Sequence, residues 1–407
     1  MNNSTARQQN STAKSAPVLG GSYNPLSLPP TPVHPLPLSH LGISTGNSAR
    51  CNQNPLQTPR IIKDNFAIRR FALQEVARDI LPKSGIHFCH SAPQRHIGPG
   101  GDRLISKVEV KRHLESGKTH LAGVQKCASV WSCPVCAPII SERRRSELQL
   151  AMSNAAEIGL QPYLLTLTIP HHAKQSLAPL LDKFSEARRT MKNRTPFKRY
   201  AAAIGLTGSV RALEVTHGAN GFHVHSHEII FCKPGQAQPE AAAILAMWQA
   251  ACKTAGLPAP NIHGVDIQRA DAAASYVAKW GASHELTKSH IKKGRGENSR
   301  TPFDMLKAFQ AGGDMKDAKL FAQYAAAMKG KRQLLYSKGL KELLGIKELS
   351  DEELLEQAQT SETVCFLAVE DWILICKRGK RGELLQAAEV DGAEGVKAFI
   401  AALKTDH

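Results

Sequence analysis

The sequence has no long apolar run. Its most apolar stretch, CFLAVEDWILIC at 365–376, is interrupted by Glu370 and Asp371, and nothing approaches the ~18–20 uninterrupted residues of a membrane span. That weighs against a membrane protein, and no membrane partner is expected. The basic-then-apolar pattern of an export signal is missing from the first residues, which points to the cytoplasm. No internal repeat is present either, so nothing suggests a repeat array. Acidic residues are missing before Asp64, while residues 1–60 hold nine prolines and many Ser, Thr and Asn. Such a stretch cannot bury enough apolar surface to offset its ordering entropy and reads as a disordered tail. Acid is scarce overall as well: 35 Asp and Glu face 52 Lys and Arg, a formal net charge of +17. This imbalance favours polyanions by long-range attraction and counterion release, with nucleic acid the first partner to consider.

What is present divides the remaining chain. Of nine cysteines, four (Cys89, Cys127, Cys133 and Cys136) fall in residues 61–150, and in a reducing compartment clustered thiols hold metal more often than they pair. Cys133 and Cys136 form a C-P-V-C turn, which presents two thiolates to one tetrahedral zinc ion. Cys127 is a third ligand, and Cys89 is the expected fourth, with His87 and His90 as alternatives in the same HFCH stretch. The segment ends in a basic helix, SERRRSELQLAM, where Arg143, Arg144 and Arg145 fan over about 200°. They are candidate contacts to DNA phosphates, a solvated helix face being the plainer alternative.

Residues 151–290 carry strand and helix signals in the order β-α-β-β-α-β-α. YLLTLTIP (163–170) is a buried strand stopped by Pro170. An amphipathic helix follows on Leu177, Leu180, Leu181, Phe184 and Met191. SVRALEVTH (209–217) and FHVHSHEIIF (222–231) are strands joined by GANG as a tight hairpin. A helix over 239–256, a strand at 262–268 and a helix over 271–283 complete the set. This order suits an α+β fold, an antiparallel central sheet with helices on one face. Residues 291–407 read as mainly helical, with a capping box at Ser350–Glu353.

On a strand His223, His225 and His227 project the same way, about 6.5–7 Å apart. Burial alone would leave several ring nitrogens needing partners, whereas two such neighbours can share a metal ion. Glu214 lies across the hairpin and would complete a two-His-one-carboxylate site with open positions. Imidazole ligands favour Mn²⁺ by type, and abundance favours Mg²⁺. Downstream, Tyr276 and Lys279 are neighbours on one helix face, and an ammonium beside a tyrosine favours phenolate and can neutralise a phosphate. Alone, a tyrosine on an amphipathic helix is more often core.

A TLT strand, a His-rich strand and a Tyr-x-x-Lys helix, spaced by about fifty residues, resemble the HUH endonuclease superfamily. More closely, the chain resembles the rolling-circle replication initiators of small bacterial plasmids. CASVWSCPVC, ALEVTHGANGFHVHSHEIIF, YVAKW, RTPFDML and GKRQLLYSKGLKELLG occur in that family's order, over roughly residues 85–350. The resemblance implies an enzyme that binds a double-strand origin and nicks one strand through Tyr276, leaving a 5′-phosphotyrosine and a free 3′-OH, and rejoins the strand at the end. It implies a divalent ion on His225 and His227, with His223 as support, and as partners origin DNA, a host helicase with the replication machinery, and a second copy of the chain. Some relatives place a glutamate four residues before the tyrosine; here that residue is Ala272, and Asp271 lies about 140° around the helix. Two other readings remain: a relaxase or transposase of the same superfamily, and a non-catalytic zinc-dependent DNA-binding regulator.

Overall fold

The computed structural model describes residues 65–99, 101–279, 299–356 and 360–406. The expected tail at 1–60 and the expected boundary at 290 lie outside them. Helix α1 (Phe66–Ile80) opens the described chain, capped by the Asn65 side chain, which accepts from the Ala67 N–H. Four short strands follow: β1 (Arg95–Ile97), β2 (Arg103–Ile105), β3 (Glu109–His113) and β4 (Thr119–Ala122). The second cysteine of the C-P-V-C turn begins α2 (Cys136–Glu157), so the expected boundary at 150 falls inside this helix.

Then come β5 (Gln161–Thr168), α3 (Leu177–Asn193), α4 (Thr195–Ala203), β6 (Leu206–Gly218), β7 (Gly221–Cys232), α5 (Ala241–Thr254), β8 (Val265–Gln268) and α6 (Ala270–Lys279). The single helix expected between the first two strands is two, because Pro196 in the first turn of α4 starts a new one. After residue 299 lie α7 (Pro302–Gly312), α8 (Met315–Met328), β9 (Leu334–Tyr336), α9 (Leu340–Leu343) and α10 (Asp351–Glu356). The capping box expected at α10 is formed: Ser350 N–H donates to Glu353 Oε2 at 2.7 Å and Glu353 N–H to Ser350 Oγ at 3.1 Å. Last are β10 (Ser361–Phe366), α11 (Val369–Lys377) and α12 (Arg381–Thr405). No helix among the described residues is long and apolar enough to cross a membrane.

The main sheet is fully antiparallel, in the order β8-β5-β7-β6-β9. The histidine strand β7 is therefore central. Its register is set by the two-residue turn Ala219–Asn220, which leaves Gly218 opposite Gly221. Gly221 has φ +86, and a Cβ there would lie 2.9 Å from the Ala173 Cα, so no other residue fits without displacing the chain after β5. From that register Glu214 faces His225 and Ala212 faces His227 on one side, and Thr168 and Thr166 face the same two histidines on the other.

One face of the sheet buries Leu165, Leu167, Leu213, Val215, Phe222, Val224 and Ile230 against α3 and α5, where Phe184 and Trp248 meet edge to face at 5.7 Å. The expectation of helices on one face is corrected here. Beyond the histidines, the opposite face carries Leu164, Val210, Ile229 and Phe231, and these are covered by Leu148, Ala151 and Ala155 of α2 and Ala273 and Val277 of α6. A face that is polar at one end and apolar at the other needs helices over the apolar half.

A smaller sheet has the order β10-β3-β4, so a strand from the last fifty residues pairs with one that precedes α2. Arg381 at the start of α12 is wholly buried and donates to the carbonyls of Cys89 and His90 at 3.2 and 2.9 Å.

Candidate active site and cysteine cluster

Strand alternation and the hairpin register bring Glu214, His225 and His227 together, with their ligand atoms all within 4.8 Å of one another. His225 Nε2 lies 3.2 Å and His227 Nε2 3.9 Å from the same oxygen, Glu214 Oε2. The other nitrogen of His227, Nδ1, lies 2.9 Å from Thr166 Oγ1 on β5, which fixes the ring so that Nε2 faces the carboxylate. Above them, the Tyr276 hydroxyl on α6 donates to Glu214 Oε1 at 2.9 Å, and its ring centroid lies 4.7 Å from that of His227. The three donors converge on one point and leave other directions open, a fit for one divalent cation.

The electrostatics follow from this packing. Burial pushes the Glu214 carboxyl up, but the His225 hydrogen bond, the charges of His225 and His227 and the Tyr276 hydroxyl outweigh it and hold the group well below the usual carboxylate range. Burial, then the Glu214 charge and hydrogen bond, pushes the Tyr276 hydroxyl well above its ordinary value. Lys279 ends α6, and its side chain lies outside the described residues, as do those of Asp271 and Ala272. His223 stands apart from the donor set. Its ring lies 4.9 Å from His171 and 4.8 Å from His225, and burial followed by those neighbouring rings lowers its pKa to about 4.

The four sulfurs of Cys89, Cys127, Cys133 and Cys136 also lie within 4.8 Å of one another. Cys89 is 3.8 Å from Cys133 and 3.4 Å from Cys136, and Cys127 is 3.9 Å from Cys136. A tetrahedral ion with bonds of ~2.3 Å needs sulfurs ~3.8 Å apart, so the spacing fits. Polar hydrogens point at the sulfurs: Cys127 N–H at Cys89 Sγ and Cys136 N–H at Cys133 Sγ, both at 3.4 Å, and the Gln74 amide at Cys133 Sγ at 3.3 Å. Burial disfavours the Cys133 thiolate, yet hydrogen bonds from the other three cysteines hold it well below its usual value. His87 is exposed. His90 is buried, with its pKa lowered by desolvation to about 4, and belongs to neither ligand group. The fourth position falls to Cys89.

Residues 118–372, more than half of the chain, match the replication protein family. The chain belongs to that family. It is 28% identical to a protein named "Protein rep" from Streptomyces lividans, over 69% of this chain and 78% of the relative. It is also 29% identical to a protein named "Neomycin resistance protein" from Streptomyces cyanogenus, over 28% of this chain and 32% of that one. No solved structure matches. The likeness to plasmid replication initiators seen in the sequence is borne out by the family match. The matched span contains Glu214, His225, His227, Tyr276 and three of the four clustered cysteines, and leaves Cys89 outside.

Two arginines of the basic helix, Arg143 and Arg144, reach across to another part of the chain. Arg143 Nη1 donates to the Leu354 carbonyl. Arg144 pairs with Glu147 and Asp351 and donates to the Leu349 carbonyl, each at 2.8 Å. Arg145 pairs with Glu142, one turn back. Arg143 and Arg144 thus pin residues 349–354 to α2. Sequence reasoning named no role for Thr166, although its position two residues from Thr168 in a strand carried the signal. It also passed over Glu228. That fully buried carboxylate points away from the histidines and meets Arg188 Nε at 2.9 Å and Lys192 Nζ at 2.5 Å. Burial would raise its pKa; Lys192 and Arg188 bring it down to about 2.

Proposed function

We propose that this replication protein initiates plasmid replication by nicking one strand of its origin, with Tyr276 as nucleophile. The observation that carries the reading is the Tyr276 hydroxyl resting on Glu214, whose second oxygen faces His225 and His227. The phenol oxygen forms a bond to phosphorus as the P–O3′ bond breaks, giving a 5′-phosphotyrosine and a 3′-OH that primes synthesis. Reversal of the step rejoins the strand. Glu214 holds the hydroxyl in place and lies where it can take its proton; Thr166 keeps the His227 ring in register. Lys279, one turn beyond Tyr276, is proposed to neutralise the phosphate. Bound at Glu214, His225 and His227, Mg²⁺ or Mn²⁺ would offset the carboxylate charge that raises the Tyr276 hydroxyl and draw electron density from a phosphate. The cysteine cluster is proposed to hold one structural zinc ion.

The test is a labelled single-stranded origin oligonucleotide incubated with protein and Mn²⁺. A protein–DNA band that survives SDS in wild type, and is absent in Tyr276→Phe, supports the reading. No such band in wild type at any divalent ion would leave a DNA-binding regulator.

A further inference from the structure

The β1–β2 hairpin is a two-stranded sheet of its own, and all six of its strand residues are exposed. Such an isolated ribbon is marginal in water without a partner. Its pairing sets Arg95 opposite Ile105 and Ile97 opposite Arg103. Strand alternation therefore puts all four on one face, arginines on one diagonal and isoleucines on the other. Ile97 is 76% and Ile105 66% exposed, and neither arginine has a hydrogen-bond or ion-pair partner among the described residues. Asp102 is the one acid between Gln94 and Glu109.

The base of the ribbon is held firmly. Gln94 N–H donates to the Gly123 carbonyl at 2.8 Å, Gln125 N–H to Ala92 at 2.8 Å and His90 N–H to Gln125 at 2.7 Å. A Cβ on Gly123 would lie 2.0 Å from the Lys107 carbonyl oxygen, so glycine lets the segment after β4 close on the second leg. Cys89 lies three residues before Ala92 and Cys127 two after Gln125, so the sulfur cluster ties the first leg of the ribbon to the segment after β4 that runs beside it.

We infer that the β1–β2 hairpin is a duplex-DNA contact, with Arg95 and Arg103 on phosphates and Ile97 and Ile105 against base edges. A two-stranded ribbon fits a major groove about 12 Å wide, where thymine methyl groups offer apolar contact. Duplex DNA is the occupant that suits both diagonals, and the proposal rests on DNA being this protein's substrate.

The test uses a mixed-sequence duplex oligonucleotide, titrated with salt, against Arg95→Ala/Arg103→Ala and Arg95→Lys/Arg103→Lys double variants. The Ala variant should lower the salt slope of binding by about 1.8, two contacts at ~0.9 each, and the Lys variant should keep it. Covalent joining to a single-stranded oligonucleotide should be unchanged in both, which also shows that the fold is intact. An unchanged slope in the Ala variant, an equal loss in the Lys variant, or a loss of joining that parallels the loss of duplex binding would each overturn the assignment. So would wild-type binding to phosphatidylglycerol-containing vesicles that the Ala variant loses while its duplex binding stays. If wild type forms no covalent product but the slopes shift as stated, the nicking reading fails and the ribbon contact stands.

Discussion

Thr166 is the residue on which the geometry of the site turns, since its hydroxyl is the group that meets His227 Nδ1. Thr166→Val keeps the strand and the shape while removing that partner, and should weaken Mn²⁺ affinity by ~10–100-fold, the usual effect of losing a group that orients a ligand. A Mn²⁺ titration followed by calorimetry measures it, and unchanged affinity would return Thr166 to a plain strand role. Tyr276→Phe loses one hydrogen bond to Glu214, so its unfolding free energy should fall by no more than ~2 kcal/mol, read from denaturant titration. Glu214, His225 and His227 were legible in the sequence for a physical reason, whereas Tyr276 was named by the family resemblance. A period of two and a two-residue turn leave one register, and that register fixes which side chains meet. His223, on the same face, was harder to place, because nothing in the pattern says that it leans toward His171.

At the scale of elements, β7 has two faces with opposite needs. The histidines look one way, and Glu228, the residue after His227, looks the other into a cluster with Arg188 and Lys192. Glu228→Gln leaves two largely buried cations without a counter-charge and should destabilise the protein by about 3 kcal/mol. The sign of its pH dependence follows from its pKa, about 2 when folded against an ordinary 4.5. Its contribution is full above about 4.5 and is lost as pH falls toward 2, so wild type should lose stability over that range more steeply than Glu228→Gln. Equal slopes in thermal melts across that range would contradict this. Local pattern gave the hairpin, the succession of strands from β5 to β8 along the chain and the α10 capping box. It could not give the β10–β3 pairing, because the two strands lie some 250 residues apart and nothing in either one names its partner. Nor could it show that Arg143 and Arg144 hold residues 349–354, since an arginine that clamps a distant loop looks in sequence like one that awaits a phosphate.

For the whole molecule, the cysteine cluster ties together the start of the described chain, the hairpin base and α2, while Arg381 from α12 reaches the same carbonyls. Purified protein should therefore carry about one equivalent of zinc, and stripping it with a chelator should lower the melting temperature rather than affect the nicking site alone. Less than half an equivalent with an unchanged melt would count against a structural metal. The charge excess of +17 and the family match set DNA as the partner, to which Tyr276 is proposed to become covalently joined. Mass spectrometry of the peptide that retains a nucleotide after protease and nuclease digestion of the DNA adduct tests this most directly. The nucleotide is predicted on Tyr276; finding it on Tyr324 or Tyr336, or finding no nucleotide-bearing peptide from a reaction that has cleaved its DNA, would contradict the account.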